Sequence, residues 1–417
     1  MDLRVLTFTT EYPPKVLGGL STHVSELTNG LSRLGCEITI LSPAHGEPGI
    51  YNQSNVTIHF IQIPPILLEG SFARAVMLSN QHFSSYAQAL IEEQKNPPTI
   101  IHCHDWMTYL AAGEVGRNSG IPVIATVHLL YEPTHRWGGD EPDDEIIQIE
   151  RSLCQQTSAI ITVSHSMREL IKTTYDVPGE KIHVVHNGMD PNLYLKNGLS
   201  HEELTQLRQS FAEPDEKIII FAGRLVPQKG ITALLESACE VIARNEKARY
   251  VIAGSIDPGV GAERLTAMYK EIYPQYSKLW SRLKFLGMLS RQRLAQLYQV
   301  ADIAIVPSIY EPFGYAAAEA MAAGVPVVAT SAGGLTEIVV DGDTGLLVPV
   351  HSSETGARKV DVEKLTEAQV FLLENSSIAK RMGEAGRQRI IKEFSQERMV
   401  KSVRDIYYDF LAKSATA

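Results

Sequence analysis

Cysteine is scarce: four in 417 residues, Cys36, Cys103, Cys154 and Cys239, all widely separated. That spacing excludes a disulfide framework and a Cys-rich zinc motif, so reduced thiols in a cytoplasmic protein are the simplest expectation. No apolar run approaches the ~20 residues of a membrane span. Residues 1–8 carry charge straight into a strand-like run, which is not a secretory pattern. Positive charge is outweighed, with 38 Lys and Arg against 48 Asp and Glu. The formal net charge of -10 argues against general nucleic-acid or membrane-surface binding, because either needs a positive field. No repeat of solenoid length is present. What remains is an ordinary globular composition, 44% hydrophobic and 21% charged, in a chain longer than one core usually supports. Two domains of about 200 residues each are expected, with oligomeric state left open.

The first half reads as strand, Gly loop, helix, strand. A β-rich run at residues 3–9 meets a loop ending in Gly18-Gly19. A helix with Val24, Leu27, Leu31 and Leu34 on one face follows, and Gly35 ends it. Such a unit implies a parallel sheet. Strands ending at His104-Asp105-Trp106 and at His128 place polar groups at carboxyl strand ends, where open α/β sheets bind ligands. A metal site from His102, Cys103 and His104 is disfavoured, since neighbouring strand residues point to opposite faces and no second ligand cluster is evident. Residues 131–145 read as a polar, aromatic loop before a helix whose first turn carries Asp143, Asp144 and Glu145. His135, Arg136 and Trp137 in that loop are the candidate acceptor readers. A turn cluster at Asn187-Gly188 sets the boundary: residues 1–191, then 192–394, with a terminal helix at 395–417.

The second half restarts the alternation. A buried strand runs into Gly223-Arg224-Leu-Val-Pro-Gln-Lys229-Gly230, two cations across one strand-end loop. Taken alone, Arg-x4-Lys is as ordinary as any solvated loop pair. The apolar run at 303–306 leads into Ser308-Ile-Tyr-Glu311-Pro-Phe-Gly314-Tyr315-Ala316 and an Ala-rich helical segment with Glu319. Free N–H groups at a helix start attract phosphate, and a carboxylate accepts hydrogen bonds from sugar hydroxyls. A nucleotide-linked sugar needs that combination. Equally, Glu311 could cap a helix and Glu319 could be a solvated charge.

The Glu311-x7-Glu319 stretch, with Gly-Arg-Leu-x-Pro-x-Lys-Gly and His104-Asp105-Trp106, resembles the retaining glycosyltransferases of the glycogen-synthase-like group, glycosyltransferase family four. The resemblance covers nearly the whole chain and is loosest over residues 64–96. It implies the GT-B fold: two Rossmann-like doubly wound parallel-sheet domains facing a cleft, acceptor-binding first and nucleotide-sugar-binding second. The terminal helix is then expected to cross back to the first domain.

By the same resemblance, Arg224 and Lys229 contact the donor diphosphate in place of a metal, so no metal or other cofactor is expected. Gly18 and Gly19 close over that diphosphate. The amides of Gly314, Tyr315 and Ala316 face the phosphates, and Met288 and Leu289 lie near the base. Glu311 takes sugar hydroxyls and Glu319 the ribose, His128 faces the sugar, and Asp105 and Trp106 the acceptor. The implied catalytic set is Glu311, Arg224, Lys229 and His128. Two departures matter. Lys15 sits slightly farther from the Gly pair than the synthase lysine does, which removes support for that role. Glu319 is often lacking in bacterial glycogen synthases, which points to the wider family or its archaeal-type branch. The implied reaction moves a hexose, glucose by preference, from ADP- or UDP-sugar to a hydroxyl. A small-molecule glycosyltransferase and a hydrolysing sugar-nucleotide epimerase are the alternatives.

Overall fold

The computed structural model describes residues 2–14, 18–138, 140–195, 199–257, 259–276, 279–353 and 356–414. Lys15 lies outside the described residues. The chain forms two units: Met1–Arg136 with Asp140–Met189 and Gln396–Ala417, and Trp137–Gly139 with Asp190–Ser395.

The first unit is built on an eight-stranded sheet. Its strands are Arg4–Phe8 (β1), Glu37–Pro43 (β2), Gly49–Gln53 (β3), Val56–Ile61 (β4), Ile100–His104 (β5), Val123–Val127 (β6), Ala159–Thr162 (β7) and Ile182–Val184 (β8). Their order is β3-β4-β2-β1-β5-β6-β7-β8, parallel except for the β3–β4 pair. The central strands are buried on both faces, as helix-covered parallel strands must be: β5, β6 and β7 are buried at every position. The helix Gly19–Arg33 carries its buried stripe at Val24, Leu27 and Leu31. The terminal helix Gln396–Ser414 packs on it, with Met399, Val400, Val403 and Tyr407 in the same core. Gly30 permits that approach, because a Cβ there would lie 2.3 Å from Val400 Cγ2.

The second unit's main sheet has six strands: Lys217–Ala222 (β9), Ala248–Ala253 (β10), Leu283–Gly287 (β11), Ile303–Val306 (β12), Val327–Thr330 (β13) and Gly345–Val348 (β14). They run parallel in the order β11-β10-β9-β12-β13-β14. Counted from β9 this is 3-2-1-4-5-6, the doubly wound nucleotide-binding order, and its direction reverses between β9 and β12. Ile219, Phe221, Tyr250, Ile252, Ile303 and Ile305 anchor the core beneath that point.

Among the described residues, no helix is long and apolar enough to cross a membrane. One local expectation fails. Residues Tyr131–Gly138 form a helix rather than a loop, with Glu132 and Arg136 paired one turn apart at 3.3 Å. The polar and aromatic content that suggested a loop is carried on this helix. Asp143 does cap the next helix, Asp144–Gln156, by accepting from the Glu145 amide at 2.9 Å.

Candidate active site

In the second unit, the loops leaving β9 and β12 emerge side by side at the switch point, since those strands pair directly. The β9 loop carries Arg224 and closes in a short 3-10 turn, Pro227–Lys229. Gly230 follows at φ +71, where a Cβ would lie 1.8 Å from the Pro307 carbonyl oxygen of the neighbouring loop. Only glycine fits that approach. The result is an ion pair between two sequence-distant motifs, with Lys229 Nζ 2.6 Å from Glu311 Oε2. Ser308 Oγ donates to the same oxygen at 3.1 Å. Glu311 is buried to 9% exposure, and its own carbonyl accepts from the Gly334 amide at 2.7 Å. Arg224 is exposed and makes no ion pair among the described residues.

Gly314, at φ +113, caps the helix Tyr315–Ala322, and as a glycine it offers the first turn no side-chain cap of its own. Glu319 lies on that helix, buried, with burial raising its carboxyl above the usual range. Its Oε1 accepts from Tyr194 Oη at 2.8 Å, and Arg291 Nε lies 3.3 Å from the same hydroxyl. Sequence reading did not anticipate Tyr194 and Arg291, since Tyr194 is 125 positions from Glu319 and carries no motif. Met288 and Leu289 follow β11, Met288 exposed and Leu289 half-buried. Trp137 groups with this unit, its ring under the Arg358 guanidinium at 3.7 Å and 4.6 Å from Tyr310.

In the first unit, Gly18 and Gly19 are exposed, and the helix starting at Gly19 also lacks a side-chain cap. At the carboxyl ends of β5 and β6 the chemistry is different. His102 and His104 share one face of β5, with ring centres 4.3 Å apart, while Cys103 points to the other face. His104 Nδ1 meets His128 Nε2 at 3.1 Å. His23, from the helix Gly19–Arg33, completes the group: its ring centre is 4.6 Å from that of His128 and 5.6 Å from that of His104. Asn187 holds His23 through Oδ1, 2.7 Å from Nδ1. His102 is held by Thr126 Oγ1 at 2.7 Å and Tyr407 Oη at 2.6 Å. Burial keeps these imidazoles uncharged, lowering His23 to about 4 and His102 to about 3, with His104 and His128 also well below the usual value. The expectation that no second ligand cluster lies near His104 is therefore corrected: His23 and His128 converge on it. Long-range pairing brings them there, and no local spacing announces it.

Asp105 sits at φ +59, an uncommon conformation for a residue other than glycine, and its carboxylate accepts from the His128 amide at 2.6 Å. Burial raises it to about 7. Trp106 opens the helix Trp106–Ser119 and is buried between Phe72 and Tyr131, at ring-centre distances of 5.9 and 5.8 Å. The His135 ring lies against Tyr131, tilted, with ring centres 3.9 Å apart, so Phe72, Trp106, Tyr131 and His135 form one aromatic run. Arg136 is exposed.

Two parallel doubly wound units, the second presenting a lysine–glutamate pair at its switch point, define the GT-B class of glycosyltransferase. The family model described as Glycosyltransferase Family 4 matches residues 17–193, and that described as Glycosyl transferases group 1 matches residues 203–389. An uncharacterized glycosyltransferase of Methanocaldococcus jannaschii is 33% identical over 370 residues, 86% of this chain and 88% of that protein. The alpha-maltose-1-phosphate synthase of Mycolicibacterium smegmatis is 30% identical over 415 residues, 97% of this chain and 99% of that one. Among solved structures, sucrose-phosphate synthase from Thermosynechococcus elongatus superposes with a TM-score of 0.81 at 22% identity, covering 99% of this chain and 100% of that chain. The chain belongs to glycosyltransferase family four, and it is a glycosyltransferase.

Proposed function

We propose that this glycosyltransferase moves a hexose, glucose first among candidates, from an ADP- or UDP-sugar to a hydroxyl acceptor with retention at the anomeric carbon. The observation that carries the reading is the Lys229–Glu311 pair at the β9–β12 switch point. Breaking a sugar–phosphate bond leaves a nucleoside diphosphate whose new charge must be met, and fixed cations supply that stabilisation without a metal. Lys229 and the exposed Arg224 take this part, the arginine gripping two oxygens and the lysine acting as a point charge. The diphosphate competes with Glu311 for Lys229. Glu311 Oε1, which accepts no hydrogen bond among the described residues, takes a donor-sugar hydroxyl. The first-turn amides of Gly314, Tyr315 and Ala316 face phosphate oxygens, and Glu319 holds the ribose. In a front-face transfer the departing phosphate oxygen takes the acceptor's proton while the two cations hold its charge.

The M. smegmatis relative is named for making a disaccharide phosphate, and this favours a small phosphorylated sugar as acceptor beside a glucan. Asp105, Trp106 and the aromatic run ending at His135 are the groups assigned to acceptor reading, with His128 facing the sugar. A cytoplasmic location fits a sugar-nucleotide user.

The test incubates the protein with ADP- and UDP-glucose, alone and with glucose 1-phosphate or maltooligosaccharides. Released diphosphate is measured, and the product's anomeric configuration is read by NMR. An α-linked product formed without added divalent ion is expected. Diphosphate release with an altered free sugar and no acceptor would mark an epimerase instead. No turnover with any donor would overturn the reading.

A further inference from the structure

We infer that Tyr194, backed by Arg291, is a positioning residue that orients the Glu319 carboxylate for the donor's ribose, so that the site selects ribonucleotides over their deoxy forms. The role rests on Glu319 holding the ribose, as proposed above. All three side chains belong to the second unit. They come from three elements: the short helix Asn192–Leu195, the helix Arg291–Tyr298 and the helix Tyr315–Ala322.

The hydrogen bonds run in one direction. A guanidinium donates and cannot accept, so Arg291 Nε gives its proton to Tyr194 Oη, 3.3 Å away. The single hydroxyl proton of Tyr194 then goes to Glu319 Oε1, at 2.8 Å. Tyr194 is also fixed in place. It is fully buried, Gln299 Nε2 donates to its backbone carbonyl, and the Arg291 guanidinium lies 5.9 Å over its ring. One carboxylate oxygen of Glu319 is thereby met. The other, Oε2, accepts no hydrogen bond among the described residues, and Glu319 keeps 8% of its surface exposed. That second oxygen is left to accept from a ribose hydroxyl.

The same relay bears on the charge of the carboxylate. Burial raises Glu319 above the usual range, while the Arg291 charge and the Tyr194 hydrogen bond oppose that rise. The titratable and charged groups acting on Glu319 from the elements packed on its helix are Tyr194, Arg291 and Tyr298. An ionised carboxylate is an acceptor at both oxygens, which suits hydroxyl donors. Without the Tyr194 hydroxyl, Glu319 takes up its proton at higher pH, and its grip on ribose is lost as pH falls through that point.

Binding of ADP and UDP, and of their 2′,3′-dideoxy analogues, is measured by calorimetry on the full-length protein at pH 7 and pH 9. The ratio of affinities isolates the ribose hydroxyls, because each pair shares its base and diphosphate. The wild type should bind its preferred nucleotide about 10- to 100-fold tighter than the dideoxy form at both pH values, as hydrogen bonds to a charged group predict. Tyr194→Phe should cut that ratio to below about 3-fold at pH 7 and regain part of it at pH 9. Arg291→Gln should move it the same way. Tyr250→Phe removes another buried hydroxyl of this unit, from Gln369 Oε1, and should keep the wild-type ratio. If Tyr194→Phe misfolds by circular dichroism, Arg291→Gln decides. A wild-type ratio near one would take the ribose away from Glu319 and the role of Tyr194 with it. A wild-type ratio retained in Tyr194→Phe, or an equal loss in Tyr250→Phe, would overturn the role of Tyr194 while leaving the ribose on Glu319.

Discussion

The carboxyl ends of the two sheets have the same architecture and opposite chemistry. In the second unit the strand ends carry formal charge near solvent: exposed Arg224, and Lys229 paired to Glu311 with side chains 26% and 12% exposed. In the first unit they carry imidazoles kept uncharged by burial, cross-bonded to one another, Asn187, Thr126 and Tyr407. A charged, partly solvated loop can stabilise charge that appears during a reaction, because it is already oriented. A neutral cluster carries no formal charge to offer. Its value lies in position and in lone pairs.

The contrast is broken most forcefully at the cations. Lys229→Ala should lower kcat for sugar transfer by about 10^2 to 10^3, as expected for loss of one group that meets transition-state charge. Steady-state kinetics with the preferred donor checks this. Equal turnover in wild type and Lys229→Ala would move the charge-stabilising role elsewhere.

A stability test separates loop geometry from charge. Gly230→Ala forces a Cβ to within 1.8 Å of the Pro307 carbonyl oxygen at a positive φ. Destabilisation by about 3 kcal/mol or more is expected in denaturant unfolding. A loss below about 1 kcal/mol would show that the β9 loop moves freely over its neighbour.

The neutral half is sharpened by pH. Glu150, buried against the Tyr131 amide and Tyr175 Oη, is raised by burial from 4.5 to about 7. Below about pH 4.5 both folded and unfolded chains hold its proton, so it contributes no penalty. Between about 4.5 and 7 the unfolded chain ionises first, and stability falls as pH rises. Glu150→Gln should remove that slope, making the variant relatively more stable at pH 8 by up to about 3 kcal/mol. Denaturant melts at pH 5 and pH 8 measure it, and parallel slopes in both proteins would contradict the assignment.

The smallest expected effect is at the terminal helix. Tyr407→Phe leaves His102 Nδ1 without its buried partner and should cost about 1–2 kcal/mol. No change in unfolding midpoint would mean that water replaces the hydroxyl.

The second unit's two strand-end loops were legible because each is local. Arg224 and Lys229 share one loop, Glu311 and Gly314 another, and each loop follows an apolar strand that any period-based reading finds. Their meeting across β9 and β12 follows from the parallel order. Residues Tyr131–Gly138 misled because polar and aromatic content was taken for loop, although the Glu132–Arg136 pair is a helix signal. Glu319 read as a solvated or ribose-facing acid, yet Tyr194 claims its Oε1 from another part of the chain. The histidine group was invisible for a related reason. His23 rides a helix, His104 ends β5 and His128 follows β6, and none stands at a ligand spacing from another.

The alternation of apolar strands with amphipathic helices determined two parallel sheets, because period and burial are written into neighbouring residues. Strand-end motifs determined which loops carry Arg224, Lys229 and Glu311, for the same local reason. Only the tertiary structure decided which nitrogens and carboxylates face each other, since side chains more than twenty positions apart meet solely through sheet order and helix packing.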